Sequence, residues 1–202
     1  AKYRIDQVSL ELGIAPTVDI LMTDTLADQL ENPRPESENG FSKEQAKASS
    51  HAQPPITIVI GNPPSSDTVA SDAPRTIIEA MMDDYRPEKS SIRGRQNIQQ
   101  GLSNEAYRFL RWSTEKVLKT GAGIVSLIMP GSIATSVSFS KVRQWLDESF
   151  DAVYVLIFDQ DGRADQRGNS LFDVLQGRLV LMCVKLDGST EKVNGQIHIE
   201  DI

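Results

Sequence analysis

The chain has 202 residues, 39% of them hydrophobic, with 21 Lys and Arg against 28 Asp and Glu for a formal net charge of −7. That length buries one real core, and an acidic total argues against a free-standing DNA-coating protein, whose nonspecific affinity comes from cations neutralising phosphates. The longest apolar runs, Ala152 to Phe158 and Leu179 to Val184, fall far short of the roughly 18 residues of a membrane span. The first residues carry no apolar signal core and Cys183 is the single cysteine, so a reducing cytoplasm is the expected setting.

In chain order, Ile5, Val8 and Leu12 at i, i+3 and i+7 predict an amphipathic helix over Lys2 to Leu12, with Gly13 placed to end it. Val18 to Met22 reads as a buried strand running into the polar turn Thr23-Asp24-Thr25-Leu26. From Ala27 to Pro55 polar residues and four prolines dominate, which predicts an insert or loop, helical over Ser42 to Ala48. Ile56 to Ile60 is a β-branched run ending sharply at Gly61-Asn62-Pro63-Pro64, the pattern of a strand buried on both faces. Residues 65–101 form a second polar stretch. Between Arg86 and Arg111 stand six cations, Arg86, Lys89, Arg93, Arg95, Arg108 and Arg111, against two acids, Glu88 and Glu105. This basic island has two readings, a phosphate contact or a solvated charged insert.

A helix is predicted from about Ser103 to Thr120, capped by Ser103 or Asn104 and stopped by Gly121. Gly123 to Met129 is the next strand, broken by Pro130-Gly131. Ser138 to Phe150 is a second amphipathic helix with Val142, Trp145 and Leu146 inward, and Val153 to Phe158 and Arg178 to Val184 are further strands. The polar loop between these two, Asp159 to Gly177, is compatible with hairpin-like pairing. Strands alternating with helices and reading as solid apolar runs predict an α/β fold, a mostly parallel sheet with helices on both faces. Ligands are then expected at the carboxyl ends of the strands.

Asn62-Pro63-Pro64-Ser65 falls at such a strand end. Consecutive prolines remove two N–H donors and fix two φ angles, leaving a stiff wall of acceptors made by the Asn62 side-chain oxygen and the Pro63 carbonyl. Such a wall suits an amine. An aromatic amine is a poor nucleophile because its lone pair spreads into the ring, and two acceptors gripping its hydrogens can pyramidalise the nitrogen and aim the lone pair at an electrophilic methyl group. The plainer reading is a proline turn that ends a strand. Other patterns carry less. His51, His198 and one cysteine assemble no zinc constellation, Ser113-Thr-Glu-Lys116 lies mid-helix, and Asp159, Asp161 and Asp165 lack the glutamate that would close a calcium loop. Trp112 and Trp145 sit at helical spacing among apolar neighbours and read as core.

The Asn-Pro-Pro element resembles the signature of the γ-type adenine-N6 DNA methyltransferases, (Asn or Asp)-Pro-Pro-(aromatic). The likeness extends over Leu102 to Trp112, Gly123 to Ser132, Phe150 to Ile157 and Asn169 to Gly177, in the order of the methyltransferase region of the type ISP single-chain restriction–modification enzymes. It covers most of residues 1–186 and implies a Rossmann-like methyltransferase fold, with residues 187–202 a tail or the start of a following segment. It further implies S-adenosylmethionine as methyl donor, an adenine flipped out of double-stranded DNA as acceptor, and nuclease, helicase-like and target-recognition domains in the parent protein. Carried over residue by residue, Asn62 and Pro63 match the positions that hold the target amine, Pro64 shapes the loop, and Ser65 stands where an aromatic stacks on the base. Asp24, with Thr25 beside it, matches the acid that accepts from the adenine amine of the donor; a helix N-cap is the alternative for Asp24. Arg86, Lys89, Arg93 and Arg95 are the candidate DNA contacts.

Two departures stand out. Ser65 replaces a stacking ring, an interaction worth about 1–3 kcal/mol, and the aromatic of the helix segment falls on Ala106, with Tyr107 beside it as a substitute. The Gly-rich cofactor turn of the family has no counterpart upstream of Asp24, so the sequence reads as the C-terminal part of a methyltransferase domain with an incomplete cofactor site and an open sheet edge beside Ile56 to Ile60. The alternatives are a catalytically impaired DNA-binding or structural module of the same fold, and a methyltransferase acting on RNA or protein.

Overall fold

The computed structural model describes residues 21, 23–28, 40–53, 55–65, 74–86, 101–159, 177–188 and 197–201. Its helices are α1 (Gly40–His51), α2 (Thr76–Met81), α3 (Glu105–Thr120), α4 (Ser132–Thr135) and α5 (Ser140–Ser149). The strands are β1 (Ile58–Gly61), β2 (Gly123–Pro130), β3 (Ala152–Asp159), β4 (Arg178–Lys185) and β5 (Ile197–Asp201), with single 3₁₀ turns at Met82–Tyr85 and Val137–Phe139. The predicted Lys2 to Leu12 helix and Val18 to Met22 strand lie outside the described residues or, at Leu21, in no regular element.

One five-stranded sheet has the order β1-β2-β4-β3-β5. β1 pairs parallel with β2, and β3 with β5, while β4 runs antiparallel to both β2 and β3. Four strands therefore share one direction and β4 alone is reversed, which makes the sheet mostly parallel and the architecture a partial Rossmann-like α/β fold. The hairpin-like pairing of β3 with β4 is also as expected. Within residues 187–202, read from sequence as a tail or the start of a following segment, Ile197–Asp201 forms β5 of the same sheet, and the two polar stretches contain α1 and α2.

Local sequence explains the elements. The Asn104 side chain accepts from the Ala106 amide at 3.0 Å and Gly121, at φ 91°, ends α3 in the left-handed conformation that glycine adopts freely. Gly123 is required for a different reason. Its φ is 149°, the Ile124 amide donates to the Thr57 carbonyl at 2.7 Å, and a Cβ on Gly123 would lie 2.1 Å from that oxygen.

The two faces of the sheet differ. Val125, Leu127 and Met129 of β2, Leu179, Leu181 and Cys183 of β4, and Val153 and Val155 of β3 are buried against Ala106, Tyr107, Leu110 and Val117 of α3 and Val142 and Leu146 of α5. Each such aliphatic side chain contributes ~1.5–3 kcal/mol by leaving water. The opposite face carries Ile124, Ile128, Val180, Met182 and Val184, all half-buried, and α1 packs on α3 through Ala48 and Ala52 against Trp112. The expectation that Ile56 to Ile60 is buried on both faces is corrected. Among the described strands β1, four residues long, lies at the edge, with Ile58 59% and Ile60 77% exposed. Continuous β-branched runs mark central strands only when a neighbour lies on each side.

Candidate active site

The parallel direction of β1, β2, β3 and β5 puts their carboxyl ends on one rim, and the reversed β4 delivers its first residue, Arg178, to that rim opposite Pro130 of β2. Asn62-Pro63-Pro64-Ser65 leaves the end of β1 at the same place. The turn after β2 is tied down where Gly131 donates its amide to the Gly177 carbonyl at 2.7 Å; a Cβ on Gly131 would sit 3.0 Å from that oxygen. This close backbone approach holds the start of β4 against the end of β2.

Asn62 is exposed, Pro63 buried, Pro64 exposed and Ser65 half-buried. Neither the Asn62 side chain nor the Pro63 carbonyl has a hydrogen-bond partner among the described residues, so both acceptors stand uncommitted. Ser65 is different. Its Oγ accepts from Arg178 Nη2 at 2.8 Å across 113 positions of sequence.

Asp24 is half-buried and engaged. One carboxylate oxygen accepts from the Leu26 amide at 3.2 Å, and both accept from Arg75 Nη2 at 3.2 Å, while Arg75 Nη1 donates to Glu105 at 2.6 Å. Four residues on, Asp28 accepts from the Thr76 and Ile77 amides at 3.0 and 2.9 Å and from the Thr76 hydroxyl at 2.6 Å. It thereby caps α2 from a distant segment, since Arg75 at the N-cap position supplies no side-chain cap. Burial pushes the Asp28 carboxyl up, but the bonds from Thr76 and Ile77 outweigh it and hold the group below its ordinary value. Thr25 is half-buried in the turn between the two acids.

The basic island is largely neutralised where the structure describes it. Arg86 pairs with Asp83 and, at 3.4 Å, Glu79; Arg108 pairs with Glu79 at 2.6 Å and also donates to the Ser103 carbonyl. Arg111 pairs with Asp84 at 2.7 Å and Glu115 at 2.8 Å and lies 4.5 Å over the Trp145 ring. Burial works against the Arg111 charge, and its bonds to Glu115 and Asp84 more than restore it. Counting from Arg86 to Arg111 missed Glu79, Asp83 and Asp84, the carboxylates just upstream. Lys89, Arg93 and Arg95 lie outside the described residues.

Tyr107, beside Ala106 in the helix segment, is part of the core. It is 1% exposed, stacked on Phe139 at 4.4 Å, with its hydroxyl 3.4 Å from Ser132 Oγ, and burial pushes its phenol well above its ordinary value. Trp145 and Trp112 are packed as expected, Trp145 edge-on to Tyr85 at 5.4 Å and Trp112 beneath Lys116 at 5.3 Å. Cys183 is fully buried and its thiol is pushed up to about 12. Among the described residues no group of His, Cys, Asp and Glu is arranged to hold a metal, and no helix is long and apolar enough to cross a membrane.

No family model and no curated protein matches the sequence. Solved structures do. The ATP-dependent Type ISP restriction–modification enzyme LlaBIII bound to DNA matches with a TM-score of 0.72 at 22% identity, over 98% of this chain and 13% of that one. The DrdV–DNA complex matches at 0.67 and 19% identity over 98% and 19%, and a nuclease-deletion mutant of the Type ISP enzyme LlaGI in complex with a DNA substrate mimic at 0.63 and 18% identity over 87% and 15%. The fold is that of a segment of these enzymes. The chain spans less than a fifth of each.

Sequence reading missed Arg178, Arg75 and Asp28. Arg178 carried a faint signal, a lone cation opening the apolar run Leu179 to Val184 directly after Gly177. Arg75 and Asp28 act across 51 and 48 positions, which no local pattern records.

Proposed function

We propose that the chain forms part of a DNA adenine-N6 methyltransferase domain of a restriction–modification enzyme, with Asn62 and Pro63 positioning the target amine. The carrying observation is the uncommitted acceptor pair at the carboxyl end of β1: an exposed Asn62 amide and the Pro63 carbonyl, neither bonded to the described protein. Two acceptors on a φ-locked turn grip two amine hydrogens without deprotonating the nitrogen, and the stiff backbone avoids reorganisation as the nitrogen pyramidalises. The proton displaced from the nitrogen at the end of the reaction leaves along either acceptor to water.

S-adenosylmethionine, when bound, supplies a sulfonium-activated methyl carbon. The fit to this chain lies in Asp24. Arg75, itself paired with Glu105, holds the Asp24 carboxylate, the residue that would accept an exocyclic NH₂ of the donor in this reading, with Thr25 alongside. Arg86, Lys89, Arg93 and Arg95 remain candidate DNA contacts in this reading, Arg86 only by exchanging its carboxylate partners for phosphate. The fold shared with DNA-bound restriction enzymes supports DNA as the acceptor polymer.

Transfer of labelled methyl to duplex DNA by the full-length protein tests the reading. Asn62→Ala is expected to lower the rate by about 100-fold or more, and an undiminished rate overturns the mechanism. One observation favours a second reading: Ser65 in place of a stacking ring suits a module that holds DNA without chemistry. Duplex binding with no transfer by the wild-type protein, in the presence of the donor, selects it.

A further inference from the structure

We propose that Ser65 and Arg178 form an anion site that takes a phosphodiester of the nucleic acid whose target amine faces Asn62. This rests on the functional reading above and adds to it the group that fixes the backbone of the substrate. The reasoning starts from charge. Of the arginines with described side-chain partners, Arg75, Arg86, Arg108 and Arg111 each meet at least one carboxylate, and Arg143 is satisfied by the Ile133 and Ser136 carbonyls at 2.7 and 2.9 Å. Arg178 is half-buried, and among the described residues its side-chain partner is a neutral hydroxyl, Ser65 Oγ at 2.8 Å, with Asp159 opposite it in the β3–β4 register. A guanidinium has five donors and no acceptor, so donors remain for an anion beyond the one that Ser65 accepts.

The direction of the hydrogen bond then decides what the pair offers. Ser65 Oγ accepts from Arg178, which leaves its own proton available to donate beside the remaining guanidinium N–H groups. Asn62 Oδ1 and the Pro63 carbonyl, three and two residues before Ser65, present acceptors. The turn thus places an amine-binding element beside an anion-binding element, the complement of a nucleotide with an exocyclic amine and a charged backbone. Arginine suits this role because its planar fork matches phosphate oxygens. The Gly131–Gly177 backbone bond, next to Arg178, fixes where the guanidinium can reach.

Duplex binding by the full-length protein, measured over a range of salt, tests the proposal with Arg178→Ala, Arg178→Lys and Ser65→Ala, alongside duplexes carrying a neutral methylphosphonate at each position flanking the target adenine. Arg178→Ala is expected to weaken binding about tenfold and to lower the salt slope by about one ion, with Arg178→Lys retaining the slope. One methylphosphonate position should weaken the wild type by a similar factor and leave Arg178→Ala no weaker than before. Wild-type binding indifferent to every methylphosphonate overturns the proposal, and needs no variant to fold. So does an Arg178→Ala loss confined to duplexes that retain the target base and absent on abasic ones, which would mark stacking. If the wild type transfers methyl to DNA but shows no coupling between Arg178 and any phosphate, this inference falls and the functional reading stands; a wild type that neither binds nor methylates DNA removes both.

Discussion

The flank of α3 and the tip of β1 are both dense in polar side chains, and they differ in what those side chains already hold. Along α3, Arg108 and Arg111 are buried with Glu79, Asp84 and Glu115 as partners. At the tip of β1, Asn62 holds nothing among the described residues and Arg178 holds only a serine hydroxyl. The run of cations from Arg86 to Arg111 offered either a phosphate contact or a solvated insert, and its described part is closed in ion pairs; the anion site proposed above lies in the second region. Ion pairs closed within the protein contribute to one conformation, whereas uncommitted acceptors and donors at a strand rim are free to meet a ligand.

The contrast is sharpest in stability. Leu110→Ala removes a fully buried side chain between α3 and the sheet and is expected to cost ~2–5 kcal/mol. Asn62→Ala, at an exposed position with no partner among the described residues, should fall within about 0.5 kcal/mol of wild type. Urea unfolding of both variants checks the pair. A large loss at Asn62 would mean that the turn is structural and would undo the distinction.

Arg111 probes the same division through its charge. Arg111→Ala strips partners from Asp84 and Glu115 and uncovers Trp145, with an expected cost of about 1–3 kcal/mol, and leaves the salt dependence of DNA binding unchanged. Arg178→Ala should do the reverse. A flattened salt slope for Arg111→Ala would return α3 to the nucleic-acid surface.

How much of this was legible in the sequence follows from the range over which each feature is encoded. The Asn104 cap, the Gly121 stop, the strands from Gly123 and Arg178, and the amphipathic α5 are all written within a few residues of where they act, and they appear where expected. The exposure of Ile58 and Ile60 was not legible in the composition of β1, because it depends on which strands flank β1. β5 was missed for a related reason: Ile197–Asp201 alternates apolar and polar residues over only five positions, and its pairing with β3 supplies what the pattern lacks. In the site, Asn62 and Pro63 were readable as a motif at a strand end. Arg178 was not, since a reversed strand is what carries it to the rim.

The smallest expected effect lies in the stitching of residues 23–28 to α2. Asp28 accepts three hydrogen bonds at the start of α2 and its carboxyl is held below the ordinary value. A carboxyl with a lowered folded pKa binds its proton less tightly in the folded state. Its contribution is therefore present above the unfolded pKa, near 3.8, and is lost as pH falls through the folded value. Asp28→Ala should cost a few tenths to about 1 kcal/mol at neutral pH, the lower range for a solvent-screened cap. Below the folded pKa, wild type and variant should converge. Paired urea titrations at neutral and strongly acid pH read this difference directly, and an Asp28→Ala deficit that persists undiminished in acid would show that the carboxylate charge plays no part in holding the segment. The same titration on Asn62→Ala should be flat, because the substitution replaces an amide that carries no titratable proton; a pH-dependent deficit there would break the contrast between a region closed on itself and one left open.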